Sequence, residues 1–157
     1  MRVPVLIACV LWACSSPARR TEDLREGVTV APELEPTPSA LDAAPPWEAD
    51  GFRRAQADGD ALVAWRALGG EPPKNRHFDL EVWVVRAGAP VRGAELMVRA
   101  TMPEHGHGMN VEPRAWPQAD GSYRVRGMLF HMSGRWELVI HVVESGRFQR
   151  ATFELDV

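Results

Sequence analysis

Setting aside the initiator, every methionine of this 157-residue chain lies between positions 97 and 132, as Met97, Met102, Met109, Met128 and Met132. Three of the five histidines, His105, His107 and His131, fall in the same window. The densest piece is Met102-Pro103-Glu104-His105-Gly106-His107-Gly108-Met109, and a second is Phe130-His131-Met132-Ser133-Gly134. Both cysteines, Cys9 and Cys14, precede this region, so no thiolate cluster or internal disulfide is available to it. Imidazole with thioether and no thiolate is a soft donor set, which favours copper, Cu(I) above all, over zinc or the hard cations. Glu104 offers either a ligand to Cu(II) or an acceptor that orients a histidine. In an extended piece, residues two apart point the same way at about 6.6–7 Å, so His105, His107 and Met109 can project to one side. Gly106 and Gly108 let the backbone bend them together. Two ordinary readings stand beside this one: Met102, Met128 and Met132 as fillers of core gaps, and the histidines as shape elements of a tight loop.

What must position these residues is a set of strands. Phe78, Leu80, Val82 and Val84 alternate with Asp79, Glu81, Trp83 and Val85, and Ala94 to Met102 alternates in the same way. Tyr123 to Leu129 and Trp136 to Val142 repeat the pattern, Phe148 to Val157 closes the chain, and Ala61 to Leu68 supplies a first strand. Turn chemistry separates the runs at Gly88-Ala89-Pro90, Asp120-Gly121 and Ser145-Gly146. Val111 to Trp116 is broken by Pro113 and Pro117, and proline cannot donate to a central ladder, so this strand is predicted at an edge. About seven strands at this spacing predict an all-β, immunoglobulin-like two-sheet β-sandwich. If the strand ending near Met102 runs up, the edge strand runs down and Tyr123 to Leu129 runs up again. His131 and Met132 then emerge at the same end as His105 to Met109, as candidates for one site. Met97 has the polar parity of its strand and is either exposed or covered by something, while His77 and His141 are predicted at the surface.

The N-terminal third has a different character. Met1-Arg2 precedes an apolar run from Val3 to Ala13 that is too short to span a bilayer as a helix and has the pattern of an export signal. Leu11-Trp12-Ala13-Cys14-Ser15 resembles a bacterial lipoprotein box, with Cys14 acylated; Cys9 is the alternative, but it would leave too short an apolar core. Several acyl chains, at about 0.8 kcal/mol per buried methylene, would hold the protein on a membrane lipid surface. From Ser15 to about Pro46 the chain is rich in Pro, Ala, Ser and charged residues, with no apolar period, and reads as a disordered tether reaching about 3.1 Å per residue. Trp47 to Gly59 gives no decisive signal, although Phe52 to Ala57 has the makings of a helical turn. The expected division is therefore a signal peptide at 1–13, a Pro-rich tether at 14–59 and a β-sandwich at 60–157. A net charge of −3 with no long basic run removes nucleic acid from the list of partners.

The octet at 102–109, Pro113, Asp-Gly-Ser-Tyr at 120–123, Gly127-Met128-Leu129-Phe130 and Met132-Ser133-Gly134-Arg135-Trp136 resemble the YtkA-like domain, related to FixH-like proteins, over roughly Phe78 to Val157. The resemblance implies an immunoglobulin-like sandwich on the outer side of a bacterial membrane, in a setting of copper handling or cytochrome oxidase assembly. Its motif falls on Met102, His105, His107, Met109, His131 and Met132. FixH-like members usually carry a transmembrane anchor, whereas this chain has a lipoprotein-type start. The expected function is a lipid-anchored cell-envelope protein, facing the periplasm or on the outer membrane, that binds copper for a trafficking or oxidase-assembly partner. The alternative is a non-catalytic envelope interaction module without metal. No enzyme is expected, since there is no nucleophilic cysteine after Cys14, no Gly-x-Ser-x-Gly elbow and no phosphate-binding glycine loop.

Overall fold

Alternation of apolar and polar side chains, which sorts a strand into a buried and a wet face, holds throughout residues 95–102: Leu96, Val98, Ala100 and Met102 are buried while Glu95, Met97, Arg99 and Thr101 are exposed. The computed structural model describes residues 44–157. In chain order, a 3-10 turn at Pro46–Glu48 is followed by β1 (Arg53–Gln56), β2 (Leu62–Ala67), β3 (Phe78–Arg86), β4 (Ala89–Pro90), β5 (Glu95–Met102), β6 (His107–Gly108), β7 (Arg114–Pro117), β8 (Tyr123–Met128), β9 (Arg135–Glu144) and β10 (Arg147–Asp156). Cys9, Cys14, the signal segment and the tether up to residue 43 lie outside the described residues.

The strands form two antiparallel sheets. One has the order β1-β2-β3-β8-β7, with β4 on the end of β3; the other has the order β10-β9-β5-β6. Leaving β1 and β4 aside, this is the A-B-E-D and G-F-C-C′ arrangement of the immunoglobulin-type sandwich. The seven predicted strands are present, and β7 lies at a sheet edge as its prolines require. Between the sheets, Trp65, Leu80, Val82, Val125, Trp136, Leu138 and Ile140 make a continuous dry core.

The three unexpected strands are β1, β4 and β6. Residues 53–56 are extended and paired with β2, not helical, because the register Arg53↔Trp65 to Gln56↔Leu62 supplies ladder partners that an isolated helical turn would lack. The boundary expected at residue 60 therefore cuts through the first hairpin. A second apolar cluster explains why: Trp47 and Phe52 are buried against Ala64, Trp83 and Val85 on the outer face of the first sheet. The Trp47 and Trp83 rings lie 5.2 Å apart. This cover accounts for the outward-facing Trp83 and Val85, which would otherwise leave a wet sheet face apolar.

At the end of the sandwich away from the His-rich loops, Asp60 ties the sheets together. It accepts hydrogen bonds from Gln149 Nε2 at 2.8 Å and Arg86 Nε at 2.9 Å. These donors hold its carboxyl below the usual aspartate range, the Gln149 bond first. Arg86 also pairs with Glu144.

His141, predicted at the surface, is half-buried on the outer face of the second sheet, its ring 5.0 Å from that of Phe148. The longer neighbours on either side, Met97 and Phe148, shield it where parity alone promised water. Burial pushes its pKa below the ordinary histidine value; Arg150 and Arg99 act in the same direction and Asp58 against it. The fold thus prefers the neutral ring, while the unfolded chain takes up a proton as pH falls, so this residue's contribution is present at higher pH and lost on acidification. His141→Leu is expected to lose less stability than the unmodified chain between about pH 7.5 and 5.5, a range that brackets the ordinary histidine pKa. Urea midpoints at the two pH values check this; equal losses in both proteins would remove His141 from the acid sensitivity.

Candidate metal-binding rim

The hairpin from β5 to β6 begins the site. Thr101 lies opposite Gly108, and Met102 opposite His107. Directly opposed residues share a face, so His107 stands on the face that buries Met102. The turn between them is closed by the Met102 carbonyl, which accepts from His105 N–H and Gly106 N–H, each at 3.0 Å. Pro103 supplies the φ that the first turn position favours, and Gly106 takes the left-handed conformation at φ +67° that returns the chain to β6.

The second piece comes from the link between β8 and β9. Phe130 is fully buried and anchored through its backbone: Asn75 N–H donates to its carbonyl at 2.6 Å, and Lys74 forms a parallel bridge with it. His131 follows, half-buried, its ring edge-on to Trp136 at 5.5 Å. Trp136 in turn donates its Nε1–H to the Met132 carbonyl at 3.1 Å, which fixes the loop that carries Met132 and Gly134. A Cβ at Gly134 would stand 2.9 Å from the Met102 methyl, and φ there is +126°, so only glycine lets this loop close over Met102.

The two pieces meet. The His105 and His107 ring centroids are 5.7 Å apart, and those of His107 and His131 are 5.3 Å apart, with interplanar angles of 32° and 34°. Three imidazoles from two loops thus form a row along one rim. His131 Nδ1 is buried and has no hydrogen-bond partner among the described residues. Met102, opposite His107, is 1% exposed, and Met132, next in sequence to His131, is 37% exposed. Among the described residues no three His, Cys, Asp or Glu side chains converge as a metal cage. The rings lie side by side, as a set of adjacent soft donors without a common focus.

Not every predicted donor joins the row. Met109 packs at the margin of the core and lines a cleft with Met97, Arg99 and Val111. The reason is local: His105 belongs to the turn and His107 to β6, so the three residues 105, 107 and 109 do not share one extended segment. Met128 is wholly buried and serves the core. Glu104 is exposed in the turn, and His77 is exposed on the loop before β3. Trp136, which sequence reasoning placed in the core alone, also walls the rim through His131; its place four residues beyond Met132 is the signal that ties the two together.

The match to known families follows this geometry. The model of the YtkA-like family matches residues 67–141, which span the octet, the 120–123 corner and the Met-Ser-Gly-Arg-Trp segment. None of the curated proteins matches the chain. Among solved structures, the chain is similar to a DUF4426 family protein from Pseudomonas aeruginosa PAO1 at 16% identity. That likeness covers 68% of this chain and 94% of that one, with a TM-score of 0.52, and it concerns the fold. Residues 67–141 of the chain are thus a YtkA-like domain.

Proposed function

We propose that this protein is a lipid-anchored, extracytoplasmic β-sandwich that takes up copper at the rim formed by His105, His107, His131, Met102 and Met132. The observation that carries the reading is the 5.3 Å approach of His107 to His131, which brings imidazoles from two separate loops side by side. Neutral imidazole and thioether suit Cu(I), which as cargo needs few ligands and accepts soft ones. The unpartnered Nδ1 of His131 and the adjacent exposed Met132 fit a donor set that closes when the ion arrives. Acylation at Cys14 would attach the chain to the membrane, and a copper-trafficking or oxidase-assembly protein of the envelope would be the partner that receives the ion.

Titration of the full chain with Cu(I) under reducing conditions, against a chromophoric chelator, is expected to show saturable uptake. The paired change His105→Ala and His107→Ala is expected to abolish it without altering the thermal midpoint appreciably, because both side chains are exposed. Uptake that survives this change would move the site elsewhere, and no uptake by the unmodified chain would end the proposal.

A further inference from the structure

The edges of the two sheets are not equally open. β7 is preceded by Pro113 and ends at Pro117, and β1 is only four residues long; both devices blunt an edge. β10 is clamped at Arg150, whose N–H donates to Asp58 Oδ1 at 2.7 Å and whose carbonyl accepts from Asp58 N–H at 3.0 Å. β5 differs. β6 pairs with it only at Thr101 and Met102, and Met109 N–H takes the Ala100 carbonyl at 3.0 Å. On the side away from β9, Glu95 to Arg99 have no strand partner among the described residues.

The orientation of the free groups follows from the registers. Since Arg150 turns its backbone toward Asp58, the opposed His141 turns its own backbone toward β5, where it faces Met97. Met97 therefore bonds inward, and Leu96 and Val98 present their N–H and C=O groups outward, in step with the Ala100 carbonyl that reaches Met109. Glu95 and Arg99, both exposed, flank Met97 on the same outer face and have no ion pair among the described residues. Met97 itself is 39% exposed.

We propose that β5 pairs antiparallel with β5 of a second copy of this chain, about a two-fold axis through Met97. That register sets Leu96 opposite Val98 of the second copy, so the outward N–H and C=O groups exchange bonds on both sides of the axis. It sets Glu95 opposite Arg99 of the other copy, twice, in the pairing where cross-strand side chains come closest. Met97 meets its own counterpart at the centre, which covers the one apolar side chain on the polar face of its strand. Clefts of about 470 Å³ lie beside Met97 and Arg99 and beside Glu95 and Leu96, walled on their far side by Val111 to Pro113 and by Pro113 to Pro117. The Glu-Leu-Met-Val-Arg run is thus complementary to itself when reversed, a property that a shift of register destroys.

Sedimentation velocity on the full chain, carrying Cys14→Ser so that no acyl group is attached, tests the pairing. A concentration-dependent dimer is expected. Arg99→Glu alone, or Glu95→Arg alone, opposes like charges at two symmetric positions and is expected to weaken the dimer about tenfold. The double change Glu95→Arg and Arg99→Glu, or an equimolar mixture of the two single variants, is expected to restore it. Association through the apolar leader would ignore these exposed charges, so a dimer insensitive to Arg99→Glu overturns the proposal, as does a monomer at all concentrations.

Discussion

A chain cut to begin at residue 60 is expected not to fold. The cut removes Trp47 and Phe52, which are 6% and 7% exposed, and uncovers Trp83 and Val85, now 3% and 4% exposed, on the outer face of the first sheet. Burying a large apolar side chain contributes about 1.5–3 kcal/mol, so these four together represent roughly 6–12 kcal/mol. The net stability of a domain of this size is of the same order, about 5–15 kcal/mol. The loss of β1 also exposes the edge of β2, and removal of Ala57 and Asp58 takes away the backbone bonds Ala57 N–H to the Ala61 carbonyl and Asp58 N–H to the Arg150 carbonyl. Near-ultraviolet circular dichroism and urea unfolding should show a cooperative transition for a chain beginning at residue 44 and none for one beginning at residue 60. A sharp transition with an unchanged midpoint in the shorter chain would show the cover to be dispensable.

Trp136→Ala is expected to cost about 3–5 kcal/mol, the range for removing a large aromatic side chain from a core. Trp136 has no exposed surface. Its ring lies 4.8 Å from that of Phe130 and 5.5 Å from that of His131, so alanine would leave a cavity directly beneath the rim. The same change frees the Met132 carbonyl from its donor and removes the wall that orients His131. Trp136→Phe separates the two effects: it keeps most of the volume but loses the hydrogen bond, worth about 1 kcal/mol. Denaturant unfolding should therefore rank the alanine variant far below the phenylalanine one, while Cu(I) titration should find both weakened. A phenylalanine variant that binds copper as the unmodified chain does would show that the indole bond serves folding alone.

Much of this architecture was legible from period and punctuation. The six longest strands declare themselves because each carries a run of buried apolar residues, whereas β7, buried no more deeply than β1, was legible through the prolines that mark it as an edge. The antiparallel order was enough to place His131 at the end that holds His105 and His107, since alternate strand ends must share a pole. What escaped was short or indirect. β4 and β6 have two residues each, too few for any period. β1 escaped because only Ala55 of its four residues turns inward even in part. The cover formed by Trp47 and Phe52 follows no repeat; its trace was Trp83 and Val85 on a parity that should have been polar. The site was legible as a cluster but not as a geometry. Spacing of two placed His105, His107 and Met109 on one side, whereas the turn at Pro103 to Gly106 separates the first from the other two and Met109 goes to the core margin. Met97 was marked as the side chain out of place, and on the surface it remains so until a second strand lies beside it.

Lys74 is the only lysine of the chain, the rest of its 18 lysines and arginines all being arginine. Its backbone is bridged to Phe130, the residue that precedes His131, and its side chain is exposed. Amine-directed labelling of the folded domain therefore addresses one side chain, on a residue whose backbone is bridged to the neighbour of His131. A fluorophore attached there becomes an optical reporter on the rim, obtained without introducing a cysteine or altering any proposed ligand.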